Sequence, residues 1–315
     1  MREVFLYKLK FKSPLHVGFR EEFLESTEDY IHSDTLFSAF CNSYLLFYGE
    51  KKLNELLEKF KTGQPPFLIS SSFYWIGNEL YFPIPLNQFP AEKEFKKVKF
   101  IDMTNFEKIR EGKKIEELMK SEDIEKLNKD LSSAIQRNII PRVRINRLNK
   151  KTEYFHFSEI TFSQNSGLFF LVEFKESSFQ KEFDAVLNLL GDEGLGGDRT
   201  VGKGLFKVVE KKKIEFKTFS DEDSFVLLSL TYPKEEEIKY LRDGFYEIIS
   251  REGYIFSPFG KTLRRKSIRM VKEGAVVRKE IKGEIVEVTP REFKRHPVYR
   301  YGLAFSLSFK SGVEK

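Results

Sequence analysis

The sequence is poor in the residues that form disulfides, zinc sites and membrane spans. Its 315 residues include one cysteine, Cys41, which excludes an intramolecular disulfide and a cysteine-rich zinc site. Charged residues interrupt every stretch of the about 18 residues that a membrane span requires. Residues 1–12 alternate apolar and basic side chains, which is typical of a strand and not of a secretory signal. We therefore expect a soluble, cytoplasmic protein.

Residues for common kinds of catalysis are also scarce. The four histidines, His16, His32, His156 and His296, form no HxxxH or HxH pair, and no GxSxG motif occurs. In the segment GGD, Arg199 follows where a second metal-binding acid would stand, so paired carboxylates for two-metal chemistry are missing. We expect no metal, no cofactor and no catalytic residue. His16, in SPLHVG, is the one position that suits a general base for RNA cleavage, although a lone loop histidine is more often structural.

Aromatic and charged residues are abundant instead. There are 33 phenylalanines and 13 tyrosines, and 54 basic against 48 acidic residues leave a net charge of +6. Aromatic sheets with basic faces suit RNA, because bases stack on rings and phosphates meet lysine or arginine. Core filling and a solvated charged surface explain the same figures. Composition alone does not decide between these interpretations.

Hydrophobic periodicity predicts an α+β fold with two ferredoxin-like domains in tandem. In the first half, strand alternation and helical spacing give the order strand, helix, strand, strand, helix, strand, which is the ferredoxin-like pattern. The first helix is expected to begin with Ser33 as its N-cap and to stop at Gly49. The other predicted elements are an amphipathic segment at 53–60, strands within 67–82, a mostly irregular insertion at about 87–165 with a helix at 113–131, a strand hairpin around 164–167, a helix at 179–190 and a strand at 205–216.

The pattern restarts after a polar linker at 217–224. We predict a strand at 225–232, a helix at 235–250, and strands near 254, 270–277, 284–288 and 302–309. This gives an N-terminal domain over residues 1–217 and a C-terminal domain over residues 222–315. The second helix of a complete ferredoxin-like pattern is not evident in the C-terminal domain.

A glycine-rich loop, GDEGLGGDRTVGKG at 191–204, is the most informative segment. Its spacing approaches that of a phosphate-binding loop, but Gly204 replaces the magnesium-binding hydroxyl, and the loop leads from a helix into a strand. Bare backbone amides with Arg199 and Lys203 suit contact with a sugar-phosphate chain. A plain structural turn is an equal alternative.

Two further segments are basic and free of acids. Residues 137–152 carry Arg142, Arg144 and Arg147, and strand alternation places Arg142 and Arg144 on one face, as an arm along a phosphate backbone. Residues 257–272 carry Lys261, Arg264 and Arg265. A single charge run is usually a solvated face, but three basic segments in a chain of +6 indicate a localised binding path.

Several motifs together resemble one family. SPLHVG, IHSDTLFSAF, GLGGDRTVGKG, SPFGK with EGAVV, and HPVYRYGLAF are similar to the RAMP superfamily. More narrowly, they resemble the Csm-type subunit that caps the 5′ tag of the guide RNA (crRNA) in type III-A CRISPR effector complexes. The resemblance covers nearly the whole chain.

This resemblance implies two ferredoxin-like RAMP domains with the crRNA 5′ tag bound between them. It implies two protein partners, a large multidomain signature subunit and a repeating RAMP backbone subunit, and a role in antiviral defence without catalysis. The implied RNA contacts are His16, Ser33, Arg142, Arg144, Arg147, Gly194, Gly196, Gly197, Arg199, Lys203 and Gly204. Charge alone adds Lys261, Arg264 and Arg265, while His296, Tyr299 and Arg300 lie in a family motif to which we assign no role.

Two other functions stay open at this point. One is a metal-independent RAMP endoribonuclease that processes repeat RNA with His16 as general base. The other is an adaptor that holds the large subunit and does not touch RNA.

Overall fold

A seven-stranded antiparallel sheet forms the centre of the first half. The computed structural model describes residues 1–18, 27–88, 98–145, 151–219, 224–257 and 263–310. The strands of this half are β1 (Arg2–Phe11), β2 (Phe67–Ile69), β3 (Phe73–Ile76), β4 (Glu79–Pro83), β5 (Phe100–Asp102), β6 (Ile135–Ile145), β7 (Thr152–Phe162), β8 (Ser166–Phe174) and β9 (Phe206–Phe216). Its helices are α1 (Ser33–Lys61), α2 (Met103–Arg110), α3 (Ile115–Leu118), α4 (Ser121–Ala134) and α5 (Gln180–Glu193).

The helices and strands of the first half follow the order that the sequence predicted. The sheet runs β5-β4-β3-β8-β1-β9, and β2 pairs with β8. Helix α1 follows β1 and helix α5 follows β8, so β1, α1, β3, β8, α5 and β9 reproduce the predicted order. The insertion between β3 and β8 contains β4 to β7 and α2 to α4.

Phenylalanine fills the core beneath the two crossover helices. The Phe67 ring lies 5.4 Å from Phe40, 5.2 Å from Phe60 and 5.0 Å from Phe183, measured between centroids. All four side chains are at most 2% exposed. Edge-on and tilted ring contacts of this kind add to the free energy gained by burying apolar area. For these residues, the core-filling interpretation of the phenylalanine excess is correct.

Helix α1 corrects the predicted cap and keeps the predicted break. The N-cap is His32, and Ser33 is the first helical residue, with no side-chain capping bond. Gly49 interrupts the helical backbone with φ 82° and ψ 172°, a conformation that costs glycine little. The helix resumes and continues to Lys61, so the predicted stop is a kink between two helical segments.

The insertion is more regular than its composition indicated. Two helices, α3 and α4, occupy the region where one helix at 113–131 was predicted, and α2 precedes them in a stretch that was expected to be irregular. Strands β7 and β8 exist as predicted, but they do not form the expected hairpin around residue 164. Strand β7 pairs with β6 over eleven residue pairs, and β8 pairs with β1, β2 and β3. Alternation identifies a strand, but its partner depends on contacts distant in sequence.

The second half is built from short strands. They are β10 (Ser224–Leu227), β11 (Ile248–Arg251), β12 (Ile268–Val271), β13 (Val276–Val277), β14 (Val286–Glu287), β15 (Tyr299–Arg300) and β16 (Ser306–Phe309). A three-stranded sheet has the order β13-β10-β16, and β11-β12 and β14-β15 form two-stranded ribbons.

The predicted helix at 235–250 is wrong. A 3₁₀ helix covers Glu235–Leu241, and no α-helix occurs in residues 224–257 or 263–310. Three apolar residues at helical spacing in this segment, Ile238, Phe245 and Ile248, are 56%, 44% and 54% exposed. Gly244 packs against the second sheet, where an added Cβ would lie 2.8 Å from the Val276 carbonyl oxygen. Helical spacing predicted a buried face that the fold leaves exposed.

The two halves share one hydrophobic core. Tyr301, Phe305 and Leu307 of the second half belong to the same buried cluster as Phe37 and Phe67 of the first. The Tyr301 hydroxyl accepts a 3.0 Å hydrogen bond from the Ile69 amide.

A buried arginine adds to this join. Arg110 is fully buried, donates at 3.0 and 2.8 Å to the Ser308 carbonyl oxygen, and lies 2.6 Å from Glu107.

None of the helices in the described ranges is long and apolar enough to cross a membrane.

Candidate nucleic-acid interface

A cleft of about 590 Å³ lies between the two halves. One wall belongs to the first half and includes His16, Gly196, Gly197 and Arg199, beside the start of α1. The other wall belongs to the second half and is rich in arginine. Its lining residues include Arg251, Phe256, Arg264, Arg265 and Arg300. Six of the residues predicted to contact RNA therefore line one cleft, although they come from segments far apart in the sequence.

The glycine-rich loop packs too closely for side chains. Gly196 has φ +91°, and an added Cβ would lie 2.2 Å from the His16 carbonyl oxygen. The Gly197 amide donates to that same oxygen at 2.8 Å. A Cβ on Gly204, at φ +71°, would lie 1.9 Å from the Leu195 carbonyl oxygen. These glycines let the loop pack against the segment that follows β1. Gly194 and Gly204 are therefore required for the shape of the loop, whether or not they also contact a ligand.

His16 is anchored on both its ring and its backbone. The Nδ1 atom lies 2.6 Å from the Ser158 carbonyl oxygen and donates to it, which leaves Nε2 as the acceptor of a neutral ring. The ring centroid lies 4.3 Å from that of Phe157, and the residue is 6% exposed. Burial lowers the pKa of His16 below its ordinary value. The geometry gives His16 a clear part in holding the loop.

Arg142 and Lys203 lie behind the loop rather than on the cleft wall. Arg142 pairs with Asp198, and Lys203 pairs with Glu159. Both cations also lie over the Phe157 ring, at 4.0 Å and 5.1 Å from its centroid. Burial and the nearby Arg142 charge lower the pKa of Lys203. Their charges are matched by acids on the same surface, which weakens their field toward a ligand.

Arg199 reaches across the cleft. Its guanidinium group lies 4.4 Å from the ring centroid of Phe256, which is on the opposite wall and 64% exposed. Burial lowers the pKa of Arg199. A cation and an exposed ring thus face each other where an unpaired base or a phosphate would enter.

Ser33, predicted as an RNA contact, lies at the junction of the two halves and not on the cleft wall. Its side chain is fully buried, and its Oγ accepts a 3.0 Å hydrogen bond from the Leu230 amide of the second half. Its own amide donates to Ser71 Oγ at 2.8 Å. Ser33 therefore joins the two halves and presents no atom to a ligand.

The remaining predicted contacts fall in three places. Arg144 lies on the β6-β7 ribbon, where it shares one face with Arg142. Across the ribbon, Arg142 pairs with Phe155 and Arg144 pairs with Glu153. Arg264 and Arg265 line the second wall of the cleft. Arg147 and Lys261 lie outside the described residues.

Buried charges join the walls at the base of the cleft. Asp34, at the start of α1, accepts two 3.0 Å hydrogen bonds from Arg251, through Nε and Nη2, and also pairs with Arg300. Burial alone would raise the pKa of the Asp34 carboxyl, but Arg251 and Arg300 outweigh it and hold that pKa well below its usual range. The carboxylate of one half thus orients two arginines of the other.

His32 continues this network. Its Nδ1 lies 2.8 Å from Glu273 Oε1 and its Nε2 lies 3.3 Å from Glu28 Oε1. Burial disfavours the protonated ring, but Glu273 and Glu28 outweigh it and raise the pKa of His32 to about 9. We define the buried seam as the three cations His32, Arg251 and Arg300 with the three anions Glu28, Asp34 and Glu273.

Sequence reasoning missed four residues of this region: Asp34, Arg251, Phe256 and Arg300. Arg300 and Asp34 lie in the motifs HPVYRYG and HSDTLF, which resembled the family without revealing a contact between them. Arg251 and Phe256 follow an exposed stretch and carry no local signal. Within the part of the chain that the structure describes, no group of three or more histidine, cysteine or acidic side chains could hold a metal ion.

Comparison with known families agrees with this architecture. A family model described as the RAMP superfamily matches residues 8–207, which include β1 and the glycine-rich loop. The chain belongs to the RAMP superfamily. A second model, described as the CRISPR Csm4 C-terminal domain, matches residues 220–309 and confirms the predicted resemblance to the Csm-type subunit.

Curated relatives and solved structures agree over nearly the whole chain. A protein described as CRISPR system Cms protein Csm4, from Methanocaldococcus jannaschii, is 27% identical, with 96% of each chain covered. A protein of the same description from Thermococcus onnurineus is 28% identical over 91% of this chain and 92% of its own. The fold is similar to a solved Csm3-Csm4 subcomplex from the type III-A CRISPR-Cas interference complex, with a TM-score of 0.67, 22% identity, and 98% of this chain and 99% of that chain covered.

Proposed function

We propose that this chain is a non-catalytic RNA-binding subunit of a type III-A CRISPR complex and that it binds the 5′ tag of the crRNA in the cleft. One observation carries the proposal: His16, Gly196, Gly197 and Arg199 of the first half and Arg264 and Arg265 of the second line the same cleft. All six lie in sequence motifs or basic segments that are far apart in the chain.

The chemistry of the cleft suits an extended single strand. Arginines on both walls attract the phosphates, and the salt dependence of RNA binding follows the number of such contacts. The exposed Phe256 ring offers a stacking surface to an unpaired base, and stacking tolerates any base sequence. The rigid glycine-rich loop lets backbone approach the strand closely.

The proposed protein partners are a large signature subunit and a repeating RAMP backbone subunit. Solved structures of similar fold are a Csm3-Csm4 subcomplex and a Csm1-Csm4 cassette in complex with cA4. By analogy with them, we propose that this chain bridges the two kinds of subunit in antiviral defence.

The proposed division into domains 1–217 and 222–315 stays a prediction, as does a ferredoxin-like origin of the second half. The two family matches, over 8–207 and 220–309, support the division. The antiparallel β13-β10-β16 sheet supports a ferredoxin-like origin of the second half.

The proposed absence of catalysis rests on the surroundings of His16. Its Nδ1 is committed to the Ser158 carbonyl, and its Cδ2 faces Gly197, where an added Cβ would lie 2.9 Å away. These contacts give His16 a structural part in the loop, which is the role that we propose for it. Its Nε2 is an acceptor, so the cleavage assay below separates the binding subunit from the endoribonuclease alternative.

The test compares paired losses of positive charge. Replacing Arg199 and Arg264 together with alanine should weaken binding of a tag-bearing single-stranded RNA, because each wall loses a cation. The slope of log affinity against log salt should fall by about 0.7 for each phosphate contact removed. Fluorescence anisotropy at several salt concentrations measures both quantities.

The matched control is Lys212→Ala with Lys213→Ala on β9, which removes two positive charges from exposed lysines outside the cleft lining. Equal affinities and slopes for the two double variants would contradict the proposal. The same RNA, recovered from incubation with the wild type in EDTA, should be intact. Specific cleavage that His16→Ala abolishes would establish the endoribonuclease instead.

A further inference from the structure

An apolar recess opens beside the cleft. Its volume is about 120 Å³, and it lies between helix α1 and two segments of the second half. Helix α1 contributes Phe37, Cys41, Leu45, Leu53 and Leu57, and the second half contributes Ile255, Phe256, Pro297, Val298 and Tyr299. The HPVYRYG segment, to which the sequence assigned no role, thus forms part of its lining.

The recess is continuous with the cleft. Four residues line both cavities: Ser38, Asn42, Phe256 and Arg265. Phe256 stands between them and is 64% exposed, with the Arg199 guanidinium 4.4 Å from its ring centroid. Any strand that follows the arginines of the cleft therefore passes the opening of an apolar pocket.

Size and lining chemistry limit the occupant. The volume is well below the roughly 300 Å³ at which pockets for drug-sized ligands begin, so the recess takes one small group and not a peptide or a lipid chain. Its walls are mainly aliphatic and aromatic, while the amides of Asn42 and Asn54 and the hydrogen-bonded pair Ser257 and His296 supply polar atoms. Flat apolar faces with a polar edge are the features of a nucleobase.

We infer that the recess is a nucleobase subsite, in which one unpaired base of the strand in the cleft inserts against Phe256. Phe256 stacks on that base, and the HPVYRYG segment forms the wall opposite α1. This inference rests on the proposed function, because it needs a single strand in the cleft. It adds a base-binding position to a site otherwise described by phosphate contacts.

The test is an abasic scan of the tag RNA. Each tag nucleotide is replaced in turn by an abasic nucleotide, and affinity is measured for the full-length wild type, Phe256→Ala and Tyr246→Ala. We expect one position at which loss of the base weakens wild-type binding about 5- to 100-fold, the range for one stacked base. Tyr246 is an exposed aromatic residue that lines neither cavity, so its variant should keep the wild-type profile.

Phe256→Ala separates stacking from general charge effects. It also removes the ring that Arg199 contacts, so it lowers affinity for every RNA by a common factor. At the sensitive position alone, the Phe256→Ala variant should bind intact and abasic RNA equally. Loss of the ring and loss of the base each remove the same stacking interaction, so the second loss adds nothing to the first. Asn54→Trp, at an exposed rim position, should block the recess and give the same loss of position dependence.

The outcomes are distinguishable. A flat scan in a wild type that binds the tag tightly would overturn the base subsite and leave the proposed function standing. A sensitive position that persists unchanged in Phe256→Ala and Asn54→Trp would place the base elsewhere and also overturn the inference. Failure of the wild type to bind the tag would overturn both proposals.

Discussion

The core of the first half consists of apolar aromatic side chains, whereas the seam between the halves consists of charged ones. The core packs Phe40, Phe60, Phe67 and Phe183, which attract one another without strict direction. The seam holds six charges, three of each sign, of which all but the partly buried Glu28 are buried, and their hydrogen bonds fix distance and angle. Apolar contacts stabilise the fold within the first half and between the halves, whereas the seam adds directional contacts between the two cleft walls.

This difference predicts different responses to substitution. A core of interlocking rings adapts to a modest change of shape at limited cost. A buried ion pair that loses one partner leaves a charge without compensation, and that cost is large. The seam should therefore be the more fragile region, and its failure should also disturb ligand binding.

The largest effect should come from Asp34→Asn. The substitution leaves Arg251 and Arg300 buried without their carboxylate, and we expect the free energy of unfolding to fall by about 3 to 5 kcal/mol. Denaturant unfolding measures this loss, and tag-RNA affinity should fall as well because both arginines line the cleft. Glu3→Gln, which removes an exposed partner of Lys213, is the control and should cost less than about 1 kcal/mol. Equal costs for the two variants would show that the seam contributes little.

A somewhat smaller effect is expected from pH. The pKa of His32 is raised to about 9, so its contribution is complete below the ordinary value of 6.5 and is lost as pH rises through about 9. Glu273, Glu28, Arg251 and Tyr30 face the ring. Above pH 9 the seam has three anions but two cations.

The size of the pH effect follows from the shift of the His32 pKa. We expect the wild type to lose about 3 kcal/mol of unfolding free energy between pH 6.5 and 9.5, measured by denaturant unfolding. His32→Asn removes the titrating group and should flatten this profile. A slope that His32→Asn leaves unchanged would assign the pH dependence to other groups.

The smallest effect should come from Phe183→Leu in the core. Leucine keeps most of the apolar contact with Phe40 and Phe67, so the loss of unfolding free energy should be about 1 kcal/mol. Tag-RNA affinity should be unchanged, because Phe183 touches neither cleft wall. If Phe183→Leu weakened RNA binding as much as Asp34→Asn does, the proposed distinction between core and seam would be wrong.

The same comparison explains what the sequence revealed. Strand alternation and helical spacing are local properties, so β1, α1, α5 and β9 were predictable, as was the loop that glycine makes possible at 194–204. Local spacing failed at 235–250 because the fold buries Leu241 but leaves Ile238, Phe245 and Ile248 in solvent. It also failed for β7 and β8, whose partners lie elsewhere.

The seam lay beyond local signals. Asp34 and Arg300 are separated by 266 positions, and each looks like an ordinary surface charge in its own segment. Ser33 shows the same limit: its neighbourhood matched a family motif, and its buried link to Leu230 appears only in three dimensions. Arg199 was predicted from the glycine-rich loop, and Arg264 and Arg265 from charge density, both of which are visible in sequence, whereas Phe256 is one ring among many.

The hydrophobic cluster that spans both halves has a consequence for how this chain folds. Two family models meet between residues 207 and 220, which marks the unit that evolution combines. The second half has a small buried cluster of its own around Leu227 and Val277, but its Tyr301 and Phe305 pack in one core with Phe37 and Phe67 of the first half. We therefore expect the two halves to unfold together, and the cleft between them to form only when the last strands of the chain have joined the first.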